Sequence, residues 1–166
     1  MKIAFISQYF FPEPFSNTEI AQALIEKGHE VDVFCCVPNY PSGSFTEGYD
    51  NKTRRSEEQN GVRIWRVFTV ARGSSALRLI LNYATFPIAA GLEMRKRLKD
   101  RPDVSFVSMP SPLLQAIAGL ILRRRHGTPC VYWVQDIWPE SPIIALNLRN
   151  PLITKPLTAL CGYLYR

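Results

Sequence analysis

Two carboxylates and a tryptophan directly follow an apolar segment in the last third of the chain. Residues 131–134 (Val-Tyr-Trp-Val) form the apolar segment, and residues 135–141 read Gln-Asp-Ile-Trp-Pro-Glu-Ser. In open parallel α/β sheets, ligands bind in the crevice outside the carboxyl ends of the strands. Asp136 and Glu140 are therefore candidates for general-base or electrostatic roles, and Trp138 is a candidate for stacking on a sugar or a base.

Each of these residues also has a purely structural interpretation. Asp136 could N-cap a turn, and Glu140 could simply be solvated. Trp138 could pack in the core, as we expect of Trp133, which lies inside the predicted strand. The sequence alone leaves both interpretations open for Asp136, Trp138 and Glu140.

The elements that must position these residues alternate between strands and helices. Continuous apolar runs are typical of strands covered on both faces, and alternating apolar and basic residues are typical of a half-exposed strand. By these criteria we predict strands at residues 2–7, 31–37, 61–67, 104–108 and 129–135. Helical spacing of apolar residues predicts helices at about residues 17–27, 74–100, 110–126 and 152–165.

This alternation predicts the fold class. Strands that alternate with helices over the whole chain are typical of an α/β fold with a doubly wound, mainly parallel sheet and helices on both faces. The length of 166 residues suits one domain, residues 1–166. We expect Pro87 to kink or split the helix around it, and we expect residues 38–60 to form a functional or mobile loop.

The predicted topology collects several loops at one edge of the sheet. Residues 7–15, 108–112 and 135–141 all follow strand ends. Asn39 and Tyr40 are candidates to join them, although both lie between prolines and their alternative role is to shape the turn.

Two further positions have a defined local role at this edge. Asn17 is the candidate N-cap of the first helix. Ser111 lies in a Pro-Ser-Pro sequence that is expected to open a helix. The free N–H groups and the dipole of a helix N-terminus favour phosphate, so Ser111 is a candidate binding residue.

Charge narrows the function classes only slightly. The chain has a net charge of +6, and its basic residues cluster within residues 52–55, 95–99 and 123–125. Such clusters can attract nucleic acid, anionic lipid or phosphorylated substrates. Basic side chains in the last turn of a helix complement its dipole and need no partner, so the charge by itself identifies none.

Several cofactor and catalytic patterns are absent from the sequence. The first strand is followed by neither a G-x-G-x-x-G nor a P-loop, which argues against an NAD enzyme and a P-loop NTPase. No H-E-x-x-H or C-x-x-C array and no Ser-His-Asp set supports a metalloenzyme or a hydrolase. Because Cys35, Cys36, Cys130 and Cys161 lack metal-ligand spacing, we expect them to be buried thiols in a reducing cytoplasm.

Four motifs stand in a characteristic order along the chain. They are residues 7–13 (Ser-Gln-Tyr-Phe-Phe-Pro-Glu), 27–31 (Lys-Gly-His-Glu-Val), 37–43 (Val-Pro-Asn-Tyr-Pro-Ser-Gly) and 135–141 (Gln-Asp-Ile-Trp-Pro-Glu-Ser). In order and separation they resemble the N-terminal half of GT-B glycosyltransferases of family 4. The resemblance covers nearly the whole chain and is strongest to the branch that builds capsule, O-antigen or colanic-acid polysaccharides.

The resemblance implies retaining transfer of a sugar from a nucleotide-sugar donor, usually without a catalytic metal or another cofactor. The reaction takes place between two Rossmann-like domains, of which the N-terminal one mainly holds the acceptor. The loop at residues 11–17 would approach the donor diphosphate, and Gln135 and Asp136 would face the reacting sugar as the catalytic residues. The implied acceptor- and substrate-binding residues are Phe11, Pro12, Glu13, Asn17, Asn39, Tyr40, Ser111, Trp138 and Glu140.

The sequence departs from the family pattern at two points. Many relatives have a histidine near the position of Gln135 and glycines in the first loop, and this chain has neither. The departures concern the polar catalytic helper and the backbone contacts that the first loop makes to phosphate.

The resemblance also implies partners and a location. The nucleotide-binding C-terminal domain is absent from this chain, so we expect the chain alone to be inactive. The expected partners are that domain, a nucleotide sugar and a lipid-linked saccharide, with no nucleic acid. We expect a cytoplasmic protein, for which residues 76–99 either contact an anionic membrane or pack in the core with a solvated basic end. The alternative function is a non-catalytic binding module completed by a separate donor-domain chain.

Overall fold

A six-stranded sheet forms the centre of the computed structural model, which describes residues 1–111, 113–145 and 147–165. The strands are β1 (Lys2–Ile6), β2 (Glu30–Cys36), β3 (Ser56–Gln59), β4 (Val62–Val67), β5 (Val104–Met109) and β6 (Cys130–Val134). Their order in the sheet is β3-β4-β2-β1-β5-β6. Neighbouring strands are parallel except for β3 and β4, which are antiparallel.

Helices cover both faces of this sheet. The helices are α1 (Asn17–Glu26), α2 (Ala76–Arg97), α3 (Ala116–His126), α4 (Glu140–Ala145) and α5 (Pro151–Leu164), with a short 3-10 helix at Leu113–Gln115. Ile3 and Phe5 of β1 point to the core beneath α1, whereas Ala4 and Ile6 point to the core beneath α2, α3 and α5. This alternation follows from the pleat of a strand and confirms the predicted doubly wound fold.

The strand order locates a topological switch point. From the central strand β1 the chain proceeds to β2 on one side, and it returns to β5 on the other. Because the connections on the two sides lie on opposite faces, their loops separate and leave a crevice at the carboxyl ends of β1 and β5. The loops after these two strands begin at Ser7 and Pro110.

Several element predictions are corrected by the structure. Pro87 does not split its helix, since α2 is one continuous helix. The segment 38–60, predicted as a loop, contains β3, and the segment after the strand predicted at 129–135 contains the unpredicted helix α4. The Pro-Ser-Pro sequence does not open α3 directly, because a 3-10 helix intervenes; Pro112 itself lies outside the described residues.

The prediction of a fully buried strand at residues 129–135 is wrong. β6 is the last strand of the sheet in the described part of the chain, and only β5 pairs with it. Val131 is 49% exposed, and Trp133 is half-buried against Phe106 rather than enclosed in the core. An apolar run has the same composition at an edge as in the middle of a sheet, so composition could not distinguish the two positions.

All four cysteines are free thiols. Cys35, Cys36 and Cys161 are buried as predicted, whereas Cys130 is only half-buried. Burial raises the pKa of the Cys35 thiol to about 12, so this sulfur stays protonated at neutral pH. The buried cysteines therefore act as small core side chains.

Candidate active site

An open cavity of about 310 Å³ lies at the switch point of the sheet. The loops after β1, β2, β4 and β5 and the first half of α2 supply its walls. Its lining residues are Tyr9, Phe15, Tyr40, Arg72, Tyr83, Pro110 and Ser111. The volume is within the range of small-molecule sites, and the position is the one expected for ligands of doubly wound sheets.

Three aromatic rings form one wall of the cavity. The rings of Tyr9 and Phe15 are stacked with centroids 4.6 Å apart. The Tyr40 ring lies edge-on to Tyr9 at 5.6 Å and tilted to Phe15 at 5.2 Å. Tyr9 is buried, whereas Tyr40 is 37% exposed, so the cluster is anchored at one end and offers a ring to solvent at the other. Such exposed rings provide stacking surfaces for sugars.

Arg72 brings a positive charge to these rings. Its guanidinium carbon lies 5.7 Å from the Tyr40 ring centroid and 5.8 Å from that of Tyr83, which are cation–π distances. Its Nη1 also donates a hydrogen bond of 3.4 Å to the Tyr9 hydroxyl. Within residues 1–111, 113–145 and 147–165, no ion pair joins Arg72 to a carboxylate. The guanidinium therefore retains donors for an anionic ligand.

The Tyr9 hydroxyl remains protonated in this environment. Burial is the main cause that raises its pKa well above the usual range, and the neighbouring Tyr83 raises it further. The charge of Arg72 acts in the opposite direction but does not reverse the shift. Tyr9 is thus suited to hydrogen bonding rather than to acid–base chemistry.

Glu13 holds the loop after β1 against the loop after β2. Its Oε1 accepts hydrogen bonds of 2.8 Å from the backbone N–H groups of Asn39 and Tyr40, and its Oε2 accepts one of 3.3 Å from Phe10. The residue is only 6% exposed. In the structure, Glu13 therefore orders the two loops and positions Tyr40, while its carboxylate is turned away from solvent.

Asn39 extends this support to the loop that carries Arg72. Its Oδ1 accepts a hydrogen bond of 3.1 Å from the Arg72 backbone N–H, and its Nδ2 donates to the Val37 carbonyl at 2.8 Å. Asn82 on α2 joins the same network by donating to the Val70 carbonyl at 2.7 Å. Asn39 is 1% exposed, so it positions Tyr40 and Arg72 from beneath the cavity.

The remaining predicted residues of the first loop have separate positions. Asn17 is the first residue of α1, and it does not cap the helix; its Nδ2 donates to the Ser7 hydroxyl and to the Tyr9 carbonyl at 2.9 Å each. The Phe11 carbonyl accepts a 2.7 Å hydrogen bond from the buried Arg66. Pro12 is exposed at the tip of the loop. The predicted N-cap role of Asn17 is therefore wrong, because its amide is buried beneath Tyr9.

The acidic motif after β6 lies beside this cavity but does not line it. Gln135 is exposed, and its Nε2 donates to the Ser108 hydroxyl at 3.1 Å. Asp136 is half-exposed and accepts a 3.2 Å hydrogen bond from the Trp138 indole N–H, and Glu140 is exposed at the start of α4. Trp138 is half-buried and packs against the core beneath α2. Gln135 and Asp136 each have one side-chain hydrogen bond within the protein, and both are at least partly exposed to solvent.

Sequence reasoning found Tyr40 and Ser111 among the lining residues and missed Tyr9, Phe15, Arg72 and Tyr83. Tyr9 and Phe15 belong to or directly follow the first motif, so the excess of aromatic residues there was the available signal. Arg72 stands in an unpatterned loop, and only the fold brings it to the aromatic rings. Among the described residues, no group of three His, Cys, Asp or Glu side chains could hold a metal ion.

Comparison with known proteins agrees with the fold. The chain matches the Glycosyl transferase 4-like domain family over residues 16–156. It is 25% identical over 133 residues to WcaI of Escherichia coli (strain K12), whose name describes a colanic acid biosynthesis glycosyl transferase. That match covers 80% of this chain and 32% of WcaI, so the chain spans about a third of the relative's length.

Solved glycosyltransferases share the fold. CalG4, the calicheamicin glycosyltransferase, superimposes with a TM-score of 0.58 at 13% identity, covering 98% of this chain and 40% of CalG4. Sucrose-phosphate synthase from Thermosynechococcus elongatus superimposes with a TM-score of 0.55 at 14% identity, covering 92% of this chain and 37% of the enzyme. No helix in the described residues is long and apolar enough to cross a membrane. The chain belongs to the glycosyl transferase 4-like family and forms part of a GT-B glycosyltransferase fold.

Proposed function

We propose that this domain is the acceptor side of a retaining glycosyltransferase of bacterial surface polysaccharide synthesis. The enzyme transfers a sugar from a nucleotide-sugar donor to a lipid-linked or saccharide acceptor. The observation that carries the proposal is the cavity at the switch point, where Arg72 lies among the rings of Tyr9, Tyr40 and Tyr83. The match to WcaI supports the polysaccharide context.

The lining of the cavity suits a phosphorylated saccharide. The Tyr40 ring, which is exposed and held from behind by Glu13, stacks on the apolar face of an acceptor sugar. The Arg72 guanidinium forms charge-assisted hydrogen bonds with an acceptor phosphate. Ser111 at the opposite wall supplies a hydroxyl to the sugar. This division places the polar head of the acceptor between α2 and the loops after β1 and β2.

Sugar transfer requires a second domain that binds the nucleotide. The chain spans 32% of WcaI and 40% of CalG4. A donor-binding domain facing the switch point closes the cleft and holds the two substrates in reacting geometry, which provides a large part of the rate enhancement. We expect the present chain alone to bind acceptor and to have no transferase activity. The proposed reaction uses no catalytic metal.

Asp136 and Gln135 are the residues that this proposal assigns to the reacting sugar. Both lie on the segment after β6, at the same edge of the sheet as Ser111. The half-exposed Asp136 carboxylate provides electrostatic stabilisation where positive charge develops on the donor sugar. The Ser108 hydroxyl orients the Gln135 amide by its hydrogen bond.

A panel titration tests the assignment of the acceptor side. The present chain and a longer form that carries a second domain are each titrated with nucleotide sugars and with diphosphate-linked saccharides. We expect the chain to bind acceptors only, and the longer form to bind both and to transfer the sugar. Tight binding of nucleotide sugars to the present chain would refute the acceptor-side assignment. Absence of transfer with every substrate pair would instead favour a non-catalytic binding module.

An exposed face of α2 supports attachment to a membrane surface. Leu77, Leu81, Ile88 and Leu92 fall on one stripe of the helix, and their side chains are 42–67% exposed. The helix ends with Arg95, Lys96 and Arg97. An apolar stripe followed by basic residues suits the interface of an anionic bilayer, where each basic residue near the surface contributes about 1 kcal/mol.

A further inference from the structure

A second cavity, of about 340 Å³, opens between α2, α5 and the 3-10 helix. We call it the apolar cavity. Its lining residues are Ile80, Tyr83, Leu113, Leu114, Trp138, Leu157 and Leu160. Among the described residues, this lining presents carbon surface and no accessible polar atom. A cavity of this composition disfavours water and favours a hydrocarbon.

The apolar cavity is open rather than enclosed. Ile80 is 61% exposed and Leu160 is 37% exposed, although both line it. A packing defect of the core would be surrounded by buried side chains, whereas this cavity reaches the surface between two helices. Exposed apolar side chains that converge on a concave site are typical of a ligand groove.

Tyr83 stands between the apolar cavity and the cavity that contains Arg72, because it lines both. The Arg72 guanidinium carbon lies 5.8 Å from the centre of this ring. A cation without a carboxylate partner among the described residues thus stands on one side of Tyr83, and a hydrocarbon-lined groove lies on the other. The arrangement is complementary to a molecule with an anionic head and an apolar tail.

We propose that the two cavities together bind a lipid phosphate, with its phosphate at Arg72 and the first part of its hydrocarbon chain in the apolar cavity. The inference rests on the proposed function, in which this lipid carries the acceptor saccharide. It adds the location of the tail and the residues that select it. Ile80, Leu157 and Leu160 contact the hydrocarbon tail of the lipid, and Tyr83 lies between this tail and the phosphate.

To test this, the protein is titrated with alkyl phosphates of four to ten carbons by isothermal titration calorimetry. Each alkyl phosphate is kept below its micellar concentration. Each CH₂ group that enters the apolar cavity should strengthen binding by about fourfold until the cavity is full. Inorganic phosphate should bind far more weakly than decyl phosphate. Decyl phosphate should also bind more tightly than decyl maltoside, because only the phosphate meets Arg72.

Matched variants locate the tail. Leu160→Asn and Ile80→Asn should each flatten the dependence of affinity on chain length, whereas Leu152→Asn should leave it unchanged. Leu152 lies on the same helix as Leu160 and is 83% exposed, but it does not line the apolar cavity. Ile80→Asn serves as the second variant, because a residue 61% exposed can be replaced with little effect on folding. Arg72→Gln should weaken every alkyl phosphate by a similar factor.

The outcomes separate this inference from the proposed function. Affinity that does not depend on chain length, or an equal effect of Leu160→Asn and Leu152→Asn, would overturn the inference. The inference would also be overturned if the longer, two-domain form transferred sugar but did not bind decyl phosphate. Length-dependent binding of alkyl phosphates without any sugar transfer by the longer form would retain the lipid site and remove the transferase proposal.

Discussion

The carboxylate of Glu13 accepts hydrogen bonds from two consecutive backbone N–H groups, those of Asn39 and Tyr40, each at 2.8 Å. This contact joins the loops after β1 and β2. It places the Tyr40 ring beside Tyr9 and Phe15 and so shapes the aromatic wall of the candidate site. A residue that the family resemblance associates with substrate thus serves, in this structure, to order the site.

Glu13→Ala should destabilise the domain. The variant leaves the buried N–H groups of Phe10 and Asn39 and the partly buried one of Tyr40 without acceptors, and each such loss costs about 1–3 kcal/mol. We expect the free energy of unfolding to fall by about 3 kcal/mol, since some of the released groups will find water. Urea denaturation measures the change. Glu47→Ala, at an exposed position in the loop after β2, is the matched control and should change it by less than about 0.5 kcal/mol.

Glu13 should also make stability depend on pH. Burial raises its pKa above the ordinary value of 4.5, and the hydrogen bonds from Asn39, Tyr40 and Phe10 and the charge of Arg66 offset this only in part. The folded protein then holds the proton more tightly than the unfolded chain. The stabilising contribution is therefore complete below pH 4.5 and is lost as the pH rises through the raised pKa.

The comparison with Glu13→Gln isolates this contribution. The difference in free energy of unfolding, wild type minus variant, should decrease as the pH rises from about 4 and then become constant. Urea midpoints measured at half-unit intervals give the curve. An increase over the same range would mean that the hydrogen bonds outweigh burial and that the pKa of Glu13 is lowered.

Tyr40→Ala should weaken acceptor binding without unfolding the domain. Its ring is 37% exposed, and its loss removes one stacking surface and one partner of Arg72. We expect affinity for a phosphorylated saccharide to fall about tenfold, which corresponds to a stacking contribution of about 1.4 kcal/mol. Isothermal titration calorimetry measures the affinity. Phe68→Ala removes a ring of 53% exposure that does not line the cavity, and an equal loss in that variant would contradict a specific role for Tyr40.

The exposed stripe of α2 should direct binding to anionic vesicles. Ile88→Asn and Leu92→Asn together remove two apolar side chains that are 62% and 56% exposed, so their loss affects the surface more than the core. We expect the double variant to reduce co-sedimentation with vesicles that contain anionic lipid by more than tenfold. Val131→Asn, at an exposed apolar position on β6, is the control. Equal recovery of the wild type with neutral and anionic vesicles would refute membrane attachment.

Five of the six strands, and the edge of the sheet at which the candidate site lies, could be predicted, but most of the residues that line the site could not. The apolar runs of β1, β2 and β5 are typical of strands covered on both faces, and their alternation with helices predicts the doubly wound fold. β3 reads Ser-Glu-Glu-Gln and carries no apolar signal. It forms because its backbone pairs with β4 across the Asn60-Gly61 turn, and because Glu57 makes an ion pair with the buried Arg66 nine residues further on.

Arg72 illustrates the same limit within the site. Nothing in its local sequence distinguishes Arg72 from the rest of the 20 lysines and arginines. Its environment depends on Asn39, whose Oδ1 accepts the Arg72 backbone N–H from a distant loop. Motifs reveal residues that lie close together in sequence. Arg72 is instead brought to the site by hydrogen bonds between loops that are distant in sequence.

Asp136→Asn should reduce the turnover of the longer, two-domain form and leave its folding intact. The amide oxygen of the variant can still accept the hydrogen bond from the Trp138 indole, so the local geometry is retained while the negative charge is lost. If Asp136 stabilises charge on the reacting sugar, kcat should fall by about 10²–10³-fold with little change in the KM for the acceptor. Asp100→Asn, which removes an exposed carboxylate beside the amino end of β1, is the control. A rise in KM at unchanged kcat would instead assign Asp136 to acceptor binding. Unchanged kcat and KM would mean that Asp136 has no role in the reaction beyond its hydrogen bond with Trp138.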